Sequence, residues 1–170
     1  MNPYRQLFRL NVGFVAHEAV GYSREFLFDI PEIQIEDLAL RDLQGVAVVS
    51  RTPQGLLFHV TLAAHTPAVC VRCLEPFEQA LRVDFTELYA FSPKHLTEAE
   101  LLFPETGVVD LAPLVREYMW LEFPIQPLCR PDCRGLCPVC GANQNQVTCN
   151  HDLREVDPRL AVLQTLLDER

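Results

Sequence analysis

The chain has 170 residues, 49% of them apolar, enough for one domain with a small appendage and a core of its own. No apolar run approaches the about 18–20 residues of a membrane span, and Met1-Asn2-Pro3-Tyr4-Arg5 opens no signal-peptide region, which points to the cytoplasm and away from membrane and secreted classes. A net charge of −9 argues against a bulk electrostatic grip on nucleic-acid phosphates and suits a basic protein partner.

Residues 4–14 and 24–30 read as short strands. Gly13 and Gly21 bracket a turn or short helix between them, and Pro31 ends the second strand. Residues 43–51 and 56–66 form the clearest hairpin, with Thr52-Pro53-Gln54-Gly55 as its turn. In its second arm Phe58, Val60, Leu62 and Ala64 share one face and Leu57, His59, Thr61 and Ala63 the other, the period of a half-buried strand. Residues 76–91 read as the next strand, in which Leu81, Val83 and Phe85 alternate with Arg82, Asp84 and Thr86. Residues 97–102 have room for one helical turn, and Asp110 is the expected N-cap of a helix over 111–121. Leu111, Leu114, Val115, Tyr118 and Met119 should face the sheet, with Leu121 nearby, and Pro124 and Pro127 stop the helix. Asp157-Pro158 caps a last amphipathic helix with Leu160, Leu163, Leu166 and Leu167 on one stripe.

The expected fold is therefore α+β: an antiparallel β-sheet or partial barrel with a few helices and a C-terminal zinc-bound, cysteine-rich segment. Residues 1–127 should form the sheet body with its helix, 128–151 the zinc-binding segment, and 152–170 a C-terminal helix packing on the body.

The chemistry lies in the cysteines. Six of the seven form three close pairs, Cys70/Cys73, Cys129/Cys133 and Cys137/Cys140, and Cys149 is followed two residues later by His151. Short Cys-x(2–4)-Cys spacings let one tight turn present two thiolates to one ion, and eight sulfur and imidazole ligands suffice for two tetrahedral zinc ions. An odd number of cysteines in a reducing compartment favours metal over disulfides. Cys137-Pro138-Val139-Cys140-Gly141 has the form of a zinc knuckle, whose glycine allows positive φ. A redox pair is the rival reading of Cys-Pro-x-Cys, but that chemistry wants a helix N-terminus after a buried strand, and Gly141-Ala142-Asn143 follows here. A zinc deaminase needs His-x-Glu and Pro-Cys-x-x-Cys, and neither occurs. Two closed sites also leave no open position for catalytic water. The reading is a non-enzymatic binding protein without a small-molecule substrate.

The first-choice pairing places Cys70, Cys73, Cys129 and Cys133 at one ion and Cys137, Cys140, Cys149 and His151 at the other, the second set closing a short loop. Alternatively the two Cys-x-x-Cys turns share an ion, or a single ion sits at 137–151. Arg72, Arg130, Arg134 and Asn143 gather around the first set and form the candidate RNA or partner contact, Arg72 through its planar fork. His59 and His65 read as surface groups, and His17 and His95 have no evident partner.

Cys70-Val71-Arg72-Cys73-Leu74-Glu75-Pro76-Phe77, Pro127 to Cys133, and Arg134-Gly135-Leu136-Cys137-Pro138-Val139-Cys140-Gly141-Ala142-Asn143 together resemble the YceD family of large ribosomal RNA subunit accumulation proteins. The match spans residues 70–151, the N-terminal strands agreeing in general character only. Some members keep the first pair without the Cys-Pro-x-Cys cluster, which implies two separable sites. Many relatives would carry Cys-x-Cys where this chain has Cys149-Asn150-His151, a change that keeps a valid ligand. The resemblance implies a role in the processing or accumulation of large-subunit (23S) ribosomal RNA. The partners would be the large-subunit precursor through its rRNA or a basic ribosomal protein, and no catalytic activity is implied.

Overall fold

In the computed structural model residues 6–93 and 101–151 are described. Their elements run β1 (Arg9–Asn11), α1 (Gly13–His17), β2 (Ser23–Ile35), β3 (Leu38–Arg51), β4 (Gly55–Val69), β5 (Pro76–Ala90), β6 (Val108–Asp110) and α2 (Ala112–Glu122). Strands β2 to β5 form one open antiparallel meander in chain order, and β1 pairs antiparallel with β6 in a small second sheet. Among the described residues the architecture is mostly antiparallel sheet with two helices, as the period-two patterns of the sequence suggest.

One face of the meander carries the core. Phe28, Ile30, Ile33, Leu40, Val49, Phe58, Val60, Leu62, Val83 and Phe85 are all buried there, as are Phe8, Val15, Leu111, Val115 and Met119 from the elements that cover it. The hairpin expected at 43–66 is present with its Thr52–Gly55 turn, where the Thr52 amide and hydroxyl both donate to the Gly55 carbonyl at 2.9 Å. Helix α2 lies on the sheet through Tyr118, whose ring stacks on Phe85 at 4.1 Å and whose hydroxyl donates to Glu87 at 2.5 Å.

Several boundaries differ from expectation. Of the strand read over 4–14, only Arg9–Asn11 is strand among the described residues, and a helix starts at Gly13. Pro31 does not end β2, which continues to Ile35. Proline lacks an N–H for a ladder, but β2 is an edge strand, and Pro31 is passed over in a register that runs unbroken from Ile30↔Leu43 to Glu32↔Arg41. Asp42, at φ 49, lies within the irregularity of the β3–β4 ladder, whose register shifts between Arg41 and Gln44. Residues 33–42 thus belong to a long hairpin, with Ile33, Ile35, Leu38 and Leu40 buried along it.

The Asp110 carboxylate accepts from the Ala112 amide at 3.0 Å, so it caps α2 from one position before the assigned N-cap, Leu111. Leu121 is 73% exposed and does not reach the sheet. Strand β6 had no signal beyond a three-residue alternation. The terminal helix after Asp157 lies outside the described residues, as do Lys94, His95 and most of the 97–102 turn.

Candidate metal centre

Strand β4 ends at Val69 and β5 begins at Pro76, so Cys70 and Cys73 occupy a turn held rigid at both ends by the sheet. The Leu74 amide donates to the Cys70 carbonyl at 2.9 Å, and the Cys70 amide to the Glu75 carbonyl at 3.0 Å. The Cys137–Cys140 turn repeats this: the Gly141 amide donates to the Cys137 carbonyl at 2.8 Å, and the Cys137 amide to the Ala142 carbonyl at 2.8 Å. Each turn closes with the residue after its second cysteine at positive φ, 60° for Leu74 and 72° for Gly141. Glycine adopts that conformation freely, whereas a leucine costs about 1–2 kcal/mol and needs its surroundings to hold it.

The fold sorts the ligands into two groups. Cys70, Cys73, Cys129 and Cys133 converge, and so do Cys137, Cys140, Cys149 and His151, with the ligand atoms of each group within 4.8 Å of one another. This is the first-choice grouping of the sequence, and the two Cys-x-x-Cys turns fall in different groups. No disulfide is present among the seven cysteines. Cys70 and Cys133 sulfurs stand 3.8 Å apart, and Cys73 and Cys129 sulfurs 3.7 Å apart. Four thiolates bound tetrahedrally at about 2.3 Å, the zinc–sulfur length, would be separated by about 3.8 Å. The donor chemistry and the spacing therefore fit a tetrahedral ion, and both groups could hold one.

The two groups differ in setting. Cys70, Cys73 and Cys133 form a small buried cluster with Phe77 and Leu128, apart from the main core, whereas Cys140 and His151 of the second group are exposed. The 127–151 segment is fastened to the β4–β5 turn by backbone bonds. Val71 donates to the Pro127 carbonyl at 3.0 Å and Leu136 to the Arg72 carbonyl at 3.1 Å. Gly135, at φ +77, lies so close to Arg72 that a Cβ would come within 3.1 Å of its carbonyl oxygen. The Asn145 side-chain amide reaches the Cys133 sulfur at 3.3 Å and the Asn143 side-chain oxygen at 2.8 Å.

Local donors and close sulfurs divide the thiols. Burial pushes the Cys70 thiol up, but the backbone amides of Cys129, Cys73 and Arg72 outweigh it and bring it down to about 6. Burial likewise opposes Cys133, yet the Asn145 amide and the Gly135 N–H lower it. Cys73 is raised: the Glu75 N–H pulls it down, but burial and the Cys70 and Cys133 sulfurs prevail. Burial and the neighbouring Cys73 sulfur push Cys129 up to about 12. In the second group the Cys140 and Val139 amides hold Cys137 at about 6, while the Cys137 sulfur raises Cys149 to about 11. Four sulfurs this close cannot all ionise unless a cation joins them.

The expected contact residues are largely engaged within the chain. Arg72 donates from one Nη to the Cys133 carbonyl at 2.9 Å, and Arg130 pairs with Asp132 at 3.5 Å. Asn143 donates to Glu75 at 3.4 Å and accepts from the Asn145 amide at 3.0 Å. Arg134 is exposed, its guanidinium without a partner among the described residues. His59 lies on the exposed sheet face with Nδ1 2.9 Å from the Thr86 hydroxyl and 3.8 Å from Asp84. Both contacts use the same nitrogen, so the trio is no proton relay, which needs one on each. The sequence reading missed Gly135 as a docking point and Asn145 as a donor to sulfur. A glycine and an asparagine between cysteine pairs were the available signals.

The family model described as "Large ribosomal RNA subunit accumulation protein YceD" matches residues 58–167, a stretch that contains all eight candidate cysteine and histidine ligands. An uncharacterized protein of Mycobacterium tuberculosis is 36% identical over 140 residues, covering 79% of this chain and 66% of its own length. The chain thus spans just under two thirds of that relative. The uncharacterized protein YlbN of Bacillus subtilis is 26% identical over 160 residues, covering 90% of this chain and 93% of its own. A chloroplastic protein of Arabidopsis thaliana, "Large ribosomal RNA subunit accumulation protein YCED homolog 1", is 32% identical over 66 residues, covering 39% of this chain and 21% of its own. No solved structure matches the chain. Among the described residues no helix is long and apolar enough to cross a membrane.

Proposed function

Because the chain belongs to the YceD family of large ribosomal RNA subunit accumulation proteins, we propose that it is a non-catalytic factor supporting 23S rRNA processing and accumulation during assembly of the large ribosomal subunit in the cytoplasm. In this reading its fold is held by two structural zinc ions. Cys70, Cys73, Cys129 and Cys133 would ligate the first, and Cys137, Cys140, Cys149 and His151 the second. Closed four-ligand sites of this kind add folding energy and leave no position for a reacting molecule.

The observation that carries the reading is that the family match covers both ligand groups, so the fastening of residues 127–151 onto the β4–β5 turn lies inside the shared unit. The direct test is deletion and complementation. Loss of the protein should lower mature 23S rRNA relative to 16S. The natural chain should restore it, and a Cys70→Ser/Cys73→Ser chain should not. Unchanged 23S levels on deletion would overturn the reading.

A second reading has its own support. Arg72, Arg130 and Asn143 are spent on internal contacts, and the chain carries −9, about −12 with seven thiolates and two zinc ions counted. Both favour an adaptor for a basic ribosomal protein over a direct RNA binder. Salt separates the two. Direct phosphate contact predicts rRNA affinity that falls steeply with salt and is weakened by Arg134→Ala, and an adaptor predicts neither.

A further inference from the structure

We propose that the first half of edge strand β2, Ser23–Ile30, is a docking edge for an extended basic peptide segment of a partner protein, which adds to the meander as a further antiparallel strand.

The meander has two edges. On β5, Ala90 at the strand's end exchanges backbone bonds with Leu101 and Phe103 at 2.8 and 2.9 Å, Pro76–Tyr89 pair with β4 alone among the described residues, and α2 packs its Tyr118 ring on the face of Phe85. On β2, residues 23–30 pair with β3 alone, and their other backbone edge carries no partner among the described residues. An unpaired edge is a template for another strand, and proteins usually guard it with prolines, bulges or short length. The guard here, Pro31, comes only after Ile30. Eight residues of regular strand are left open, enough for a short peptide.

The side chains on that stretch specify the occupant. The outer face of β2 presents Glu25, Leu27 and Asp29 in succession, and Leu27 is 81% exposed, beside Val46 of β3. An added strand would set its own side chains about 5 Å from these, residue against residue. A second copy of this chain fits badly. Antiparallel pairing of β2 with itself about Leu27 would set Glu25 against Asp29, carboxylate facing carboxylate. RNA is repelled by the same carboxylates. A peptide with the pattern cation-x-apolar-x-cation places one cation on each carboxylate and its apolar residue on Leu27. The backbone ladder supplies affinity and the alternate side chains supply selection. The inference does not depend on the ribosomal reading, because it rests on the edge and its charges alone.

The test uses the full chain and a synthetic seven-residue peptide with lysine second and sixth, leucine fourth and threonine between. Two further versions are methylated on one or the other alternate set of backbone nitrogens. The proposal expects saturable binding that protects amides of Ser23–Ile30 from hydrogen exchange, and loss of binding for one methylated version. A Glu25→Lys/Asp29→Lys variant, altered only at exposed side chains, should bind about tenfold or more weakly. Equal binding of both methylated versions would mean charge attraction without a strand and would overturn it. So would protection elsewhere, or no binding. Concentration-dependent dimers protecting the same amides would assign the edge to a second copy instead. Restoration of 23S rRNA by the lysine variant, together with lost peptide binding, would leave the proposed function standing and remove the edge from it.

Discussion

Two glycines of the cysteine-rich segment have similar backbones but different surroundings. Gly135 and Gly141 sit at φ +77 and +72, yet a Cβ on Gly141 meets nothing within 4 Å, and one on Gly135 meets Arg72. Both substitutions to alanine should cost about 1–2 kcal/mol of backbone strain. Gly135→Ala should in addition push the segment off the β4–β5 turn and weaken metal retention at the first group, while Gly141→Ala should leave that group unchanged. Chelator competition on the two variants reads the difference. Asn145 poses a related question, since its amide is the side-chain donor to the Cys133 sulfur. Hydrogen-bond donors to a metal-bound side chain are worth about 10–100-fold in metal affinity. Asn145→Ala should therefore lower affinity at the first group by about tenfold, with the second group as internal control.

Among the elements, α2 is clasped to the tip of the β2–β3 hairpin by one bidentate ion pair. Arg116 donates from Nε and Nη2 to the two carboxylate oxygens of Asp37 at 2.6 and 2.9 Å, with Glu36 at 3.4 Å from Nε. The Arg116 hydrogen bonds hold the Asp37 carboxyl below its ordinary 3.8. A carboxylate lowered on folding contributes stability that is full above the unfolded value and is lost as pH falls through the folded one. Urea midpoints should thus decline from about pH 5 to pH 3, and Asp37→Asn should lower the midpoint at neutral pH while flattening that decline. An unchanged slope would show that other carboxylates govern the acid limb. The partner elements of this clasp lie 79 residues apart, so the helix period announced α2 but not where it would be tied.

For the whole molecule, the main core and the cysteine cluster are separate hydrophobic units. Removing metal should therefore release residues 127–151 while the meander keeps its strands. Hydrogen exchange after chelation should show protection lost at Leu136, Cys137 and Gly141 and retained at Val49, Phe58 and Val83. Collapse of the sheet signal as well would show that the metal groups hold the whole fold. What was legible in the sequence was local. Alternation disclosed β4 and β5, proline and glycine marked the 52–55 turn, and the short cysteine spacings disclosed the paired cysteines, because each depends on neighbours a few residues apart. Tertiary structure alone decided that β2 runs on through Pro31, since an edge strand can carry a proline without losing its register. It also decided the pairing of β1 with β6 and the meeting of Cys70 with Cys133 across 63 residues. Such contacts are a competition between loop-closure entropy and packing, which no short window of sequence contains.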